Sequence, residues 1–331
     1  LSPFTWLTFD RPHFRPAKAG ENNRTSIPGG AGLVRREKLK DNIYRTGQSE
    51  KIVKDLYDSQ VESLEVEYED LYVNTRFGKT HVLKAGNSGA EPVLLFHGGN
   101  STAPFSLGKN LHLIQDHLVY APDTIGHPGK SEQRVLSSKT LEYGQWAADV
   151  IDSLGFQKMI CMGESFGGGI LAKLMCVAPG KISKAILLVP AGIYNAPKSR
   201  LIISMGVPML LYLITRREKW FEKAFMPMMS PDEPIDRDTI EMIRTTFHHV
   251  KVNPNMPSNV RGEDIKEYQA PTLLLAGEKD VLFPGEPVLK RAREIIPNVE
   301  THLLQGCGHL YFSSEQRKMD IKKKVGEFLR K

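Results

Sequence analysis

The chain has 331 residues, 40% hydrophobic and 25% charged, enough for one large α/β domain with an insertion or for two smaller domains. Its formal charge of +6 is spread over lysines and arginines interspersed with acids, which argues against a nucleic-acid surface. Three cysteines (Cys161, Cys176 and Cys307) lack metal-ligand spacing, and Cys161 and Cys176 sit in apolar stretches as expected of reduced core thiols. Leu1–Phe9 is too short and polar for a signal core, so a cytoplasmic protein is the default expectation, with a signal or anchor upstream of Leu1 left open. Membrane anchoring is not otherwise indicated.

Residues 1 to about 50 carry Pro, Gly, Asn and charge without a sustained period and read as a surface arm, becoming helical over Ser49–Ser63. Val-, Leu-, Tyr- and Thr-rich runs at Ser63–Tyr68, Asp70–Thr75 and Thr80–Ala85 predict strands, the last two flanking a hairpin turn at Arg76–Lys79. Pro92–Phe96 reads as a fully buried strand. From there the pattern alternates: helix Leu107–Gln115, strand Leu118–Ala121, helix Leu141–Leu154, strand Lys158–Met162 and its following helix, strand Lys184–Val189. After an interruption come strand Pro271–Ala276, helix Gly285–Ile296, strand Val299–Leu303 and helix Ser314–Leu329. Alternation of this kind predicts a mostly parallel sheet covered by helices on both faces.

The interruption is helical in pattern and rich in Met and Pro. Its apolar stretch Leu201–Ile214, broken by Gly206 and Pro208, falls short of the roughly 20 residues of a membrane span. Inserted between two core strands, it reads as a lid. The expected organisation is an arm and helix over 1–62, a core over 63–191 and 265–331, and a helical cap over 192–264.

The chemistry centres on Gly163-Glu164-Ser165-Phe166-Gly167, a G-x-S-x-G turn between a strand and a helix. The glycines permit close approach of strand and helix, and the helix start aims unpaired N–H groups at charge forming beside Ser165. Upstream, a buried strand ends in His97-Gly98-Gly99-Asn100, a turn that lets backbone approach a substrate. Downstream, two strand ends lead to Gly277-Glu278-Lys279-Asp280 and Gly306-Cys307-Gly308-His309, in the order nucleophile, acid, base. Glu278 competes with Asp280 for the acid's role.

Together these four motifs resemble the α/β-hydrolase superfamily with a helical cap, and Val73–His81 looks like the entry hairpin of bacterial carboxylesterase-like members. The resemblance runs from about Leu64 to Leu329. It implies an α/β fold with a mostly parallel central sheet flanked by helices, and a Ser165–Asp280–His309 triad without metal or organic cofactor. The Phe166 amide and, by resemblance, that of Gly99 would form the oxyanion hole. The expected reaction is cleavage of a small-molecule carboxylic ester through an acyl-enzyme. Asn100, Met205, Met209 and Leu213 are the candidate substrate-binding residues. Proline iminopeptidase-like or other acyl chemistry stays open through the His-Gly-Gly turn, although here the loop continues Asn100-Ser101, and so does a hydrolase-fold binding protein. Asp123, in a loop that departs from the family pattern with Ile125 and Pro128, reads as a brace, as does His97. Oligomeric state and acyl length are open.

Overall fold

The apolar runs that read as buried strands form the middle of an eight-stranded sheet in a computed structural model that describes residues 42–231, 236–251, 255–311 and 314–331. The expected arm lies outside the described residues as far as residue 41. The chain continues through α1 (Gly47–Glu62), β1 (Tyr68–Thr75), β2 (Gly78–Gly86), β3 (Pro92–Phe96), α2 (Ala103–Lys109), β4 (Leu118–Pro122) and α3 (Glu142–Ser153). Then follow β5 (Met159–Glu164), α4 (Phe166–Val177), β6 (Ile182–Leu188), α5 (Lys198–Leu201), a π-helical turn (Ile202–Gly206) and α6 (Val207–Thr215). The chain closes with α7 (Glu218–Phe225), α8 (Arg237–His249), α9 (Gly262–Ile265), β7 (Thr272–Gly277), α10 (Gly285–Ile295), β8 (Val299–Leu304) and α11 (Glu315–Arg330).

The strand order is β1-β2-β4-β3-β5-β6-β7-β8, antiparallel at β1–β2 and β2–β4 and parallel elsewhere. Side-chain alternation explains why the inner strands read as continuous apolar runs. Leu94, Phe96, Cys161, Leu187 and Leu274 face one core layer, with Trp146 of α3 and Leu171 of α4. Val93, Leu95, Ile160, Ile186 and Leu273 face the other, with Tyr57 of α1, Leu107 of α2 and Phe328 of α11. Burial pushes the Cys161 thiol pKa upward, keeping it protonated and inert. α3 buries Tyr143, Trp146, Ala147, Val150 and Ile151, and the Trp146 indole donates to Thr80 Oγ1 at 2.9 Å.

Two local expectations are corrected. Ser63–Tyr68 is a turn rather than a strand until Tyr68, because Glu65 takes φ 51°, a left-handed conformation that ends any extended run. The helix expected at Leu107–Gln115 is α2 followed by a 3₁₀ turn over Leu111–Gln115. α1 packs against α8, and Tyr44 pairs antiparallel with Val250, so residues 42–62 lean on the helical segment between β6 and β7.

Candidate active site

Ser165 sits between β5 and α4 at φ 52°, ψ −115°, a strained conformation for a residue with a side chain. Three backbone bonds hold it there: Ser165 N–H to Leu188 at 3.0 Å, and Ala191 and Gly169 N–H to the Ser165 carbonyl. The flanking glycines are sterically required. A Cβ on Gly163 would lie 2.4 Å from the Gly167 carbonyl oxygen, and one on Gly167 would lie 2.3 Å from that of Phe96.

Asp280 and His309 follow the ends of β7 and β8, and both are buried. Asp280 Oδ1 accepts the N–H groups of Leu282 and Phe283 at 2.8 and 3.0 Å, which leaves Oδ2 to accept from His309 Nδ1 at 2.8 Å. With its proton on Nδ1, the imidazole presents the Nε2 lone pair to the Ser165 hydroxyl at 2.9 Å. Glu278 points elsewhere, accepting from Gly306 N–H and from Lys279.

The loop after β3 is fixed by two histidines. Thr124 N–H donates to His97 Nε2 at 2.9 Å, so His97 carries its proton on Nδ1 and donates it to the Gly98 carbonyl at 2.7 Å. In a trans peptide the carbonyl and the following N–H point in opposite directions. The Gly99 N–H is thereby turned away from His97. The next amide, Asn100 N–H, donates to His127 Nδ1 at 3.2 Å, and Asn100 takes φ 53°. Burial lowers the pKa values of both histidines, His127 to about 3 with help from neighbouring His97, so both are neutral. Gly99 packs on Phe166, where a Cβ would lie 3.3 Å from the Phe166 Cβ. Asp123 is a brace, as expected: its carboxylate takes His81 Nδ1, Lys130 N–H and Ala103 N–H at 2.9, 2.8 and 3.2 Å.

Ser165 and His309 open on a cavity of about 290 Å³, also lined by Gly98, Gly99, Asn100, Met205 and Met228. Its remaining wall includes Phe105, Phe247, Met242 and Met256, with Lys109 and Glu164 as charged members. Desolvation lowers the Lys109 pKa, opposed by Asp236 and Glu164; its ammonium donates to Thr239 Oγ1 at 2.9 Å. The Glu164 carboxylate accepts from Ser106 at 2.5 Å and Tyr311 at 2.9 Å. Lys109, Glu164 and Tyr311 were missed from sequence, although Glu164 and Tyr311 lie one and two positions from Ser165 and His309. The loop of His309 is tied to the helical segment through Leu310 N–H to Met228 at 2.8 Å and Gly308 N–H to Ser230 Oγ at 3.1 Å.

The expectation that Met209 and Leu213 line the pocket is corrected: neither borders the cavity, and Leu213 is exposed. Counted at 3.6 residues per turn, positions 205, 209 and 213 share a stripe. The π-helical turn over Ile202–Gly206 widens one turn and shifts the phase, so Met205 faces the cavity and α6 turns Tyr212 inward toward Phe221 and Phe247.

Among curated proteins, carboxylesterase YbfK of Bacillus subtilis is 24% identical over 262 residues, covering 77% of this chain and 86% of the relative. The "uncharacterized carboxylesterase nap" of the same organism is 26% identical over 303 residues, covering 89% and 93%. The crystal structure of naproxen esterase from Bacillus subtilis superposes with a TM-score of 0.73 at 23% identity, over 86% of this chain and 99% of that one. At that identity the superposition speaks for the fold. The model of the alpha/beta hydrolase family matches residues 93–319, from β3 through the loop of His309 into α11. The chain is a hydrolase and belongs to the alpha/beta hydrolase family.

Proposed function

We propose that the chain is a serine esterase that hydrolyses small-molecule carboxylic esters through an acyl-enzyme. The observation that carries this reading is the hydrogen-bonded line Ser165–His309–Asp280, at 2.9 and 2.8 Å, opening on a largely apolar cavity. Ser165 Oγ attacks the ester carbonyl carbon as its proton passes to His309 Nε2, and Asp280 stabilises the resulting imidazolium. The tetrahedral oxyanion accepts from the amides of Phe166, at the start of α4, and Gly99; losing one such donor costs about 3 kcal/mol. On collapse the C–O bond breaks and His309 returns the proton to the departing alcohol. Water then attacks the acyl-enzyme with His309 as base again, releasing the acid and regenerating Ser165.

In this reading residues 63–191 and 265–331 act as the hydrolase core and 192–264 as a cap whose inner wall, through Met205 and Met228, meets the acyl or alcohol group. The carboxylesterase relatives support ester over other acyl chemistry. A fluorophosphonate probe is expected to label Ser165, and Ser165→Ala to abolish labelling and hydrolysis of p-nitrophenyl butyrate. Label recovered on another serine would overturn the assignment.

A further inference from the structure

The outward side of the segment from Ile202 to Ile214 is apolar and bare. Ile202, Ile203, Val207, Leu210, Leu213 and Ile214 are between 47% and 73% exposed. Residues 207, 210 and 214 recur at helical spacing along α6, and exposed Ile202 and Ile203 lie on the π-helical turn just before it, so the exposed positions are contiguous along the segment. The opposite side of the same segment is committed inward, Met205 to the cavity and Tyr212 to an aromatic cluster with Phe221 and Phe247. Contiguous exposed aliphatic surface of this kind marks a contact site.

Charge identifies the occupant. No ionisable side chain with acidic or basic character interrupts Leu201–Ile214 apart from the Tyr212 phenol, which is buried. Lys198 and Arg200 precede the stripe in sequence, and exposed Arg216, Arg217, Lys219 and Lys223 follow it. The only acids within 198–223 are Glu218 and Glu222, and Glu218 is paired with Arg244 at 2.8 Å. Trp220 lies among these cations, with Lys219 and Lys223 each 5.3 Å from its ring centre. An aliphatic stripe bounded by lysine, arginine and tryptophan is the composition of a helix that lies in a membrane interface. It does not span: no helix among the described residues is long and apolar enough to cross a membrane. A second copy of the chain is a poorer fit, because two-fold pairing of the stripe brings like cations together.

We infer that the face formed by Ile202–Ile214 and its basic flank docks on an anionic phospholipid surface, with the cavity wall at Met205 directly behind it. Full-chain protein is mixed with phosphatidylcholine vesicles containing none or about 30 mol % phosphatidylglycerol and separated by flotation. The expected result is binding to the anionic vesicles at least roughly tenfold tighter than to the neutral ones, weakening as salt is raised. Ile203→Glu and Leu210→Glu, both at exposed positions, are each expected to remove binding, and Arg216→Glu combined with Arg217→Glu to weaken it roughly tenfold or more. Circular dichroism and melting confirm that each variant is folded. Absence of binding by the unaltered protein, or equal binding by folded Leu210→Glu, overturns the inference. So does elution at twice the chain's mass that Leu210→Glu converts to single mass, which gives the face to a second copy.

Discussion

Tyr311 donates its hydroxyl proton to Glu164 across 2.9 Å, bonding the residue two places past His309 to the residue immediately before Ser165. Ser106 of α2 donates to the other oxygen of the same carboxylate. One buried carboxyl group thus fastens the loop of the proposed base, the turn of the proposed nucleophile and the helix after the proposed oxyanion loop.

Tyr311→Phe removes that fastening with little change in volume. It is expected to lower kcat about tenfold while leaving KM within a few-fold, because a displaced imidazole harms proton transfer more than binding. Steady-state kinetics on a short ester provides the check. A variant with lowered melting temperature and unaltered kcat would show that the bond serves stability alone.

His127 accepts the Asn100 amide and so fixes the peptide that follows Gly99. His127→Leu is expected to reduce kcat by roughly tenfold or more through a loosened oxyanion loop, and His127→Gln, which retains an acceptor, to recover part of the loss. Equal kcat in the wild type and His127→Leu would remove this histidine from any positioning role.

Acid sensitivity follows from the two buried histidines, His97 and His127. An unfolded histidine titrates near about 6.5, whereas burial depresses His97 and takes His127 to about 3 in the folded protein. Between these values the unfolded chain binds protons that the folded one refuses. Stability is therefore complete above about pH 6.5 and declines as pH falls through the window, by about 2 kcal/mol at pH 5 for His127 alone. Melting curves from pH 7 to 5 are expected to show the decline, with a shallower slope in His127→Gln. An unchanged slope in that variant would assign the sensitivity to other groups.

Asp280 touches His309 and Glu278 does not, so their conservative variants separate cleanly. Asp280→Asn is expected to cost roughly 10³-fold or more in kcat, and Glu278→Gln less than about threefold. The prediction fails if the two rank in reverse.

Substrate choice gives a further contrast. Met205→Ala and Met228→Ala enlarge the cavity wall and are expected to shift the ratio of kcat/KM for long over short acyl esters, by up to about tenfold. Met209→Ala and Leu213→Ala, outside the cavity, are expected to leave the ratio unchanged. A p-nitrophenyl ester series measures all four.

The sheet was legible where burial on both faces forces aliphatic runs, as in β3, β6 and β7. It was misread at Ser63–Tyr68, where Leu64 is apolar because it packs beside Tyr57 and Val61, with no pairing partner. Ser165, Asp280 and His309 were legible because each follows a strand end in a glycine-marked loop. The link between Glu164 and Tyr311, 147 positions apart, depends on how the sheet brings two loops together, which no local pattern records. Met209 and Leu213 were misplaced for a smaller reason. One wide turn at Ile202–Gly206 rotated everything after it; Gly206 and Pro208 mark an interruption there but not how far it turns the helix.

Ser165 and His309 are bonded to each other from positions 144 residues apart, on either side of the helical insertion. During synthesis the serine leaves the ribosome long before the histidine that would activate it. In the proposed reading a nascent or prematurely released chain therefore carries the serine without its base, unable to take an acyl group from an ester. His309 follows β8, which pairs with β7, so in the proposed reading fluorophosphonate reactivity is expected to appear only once that last strand has joined the sheet.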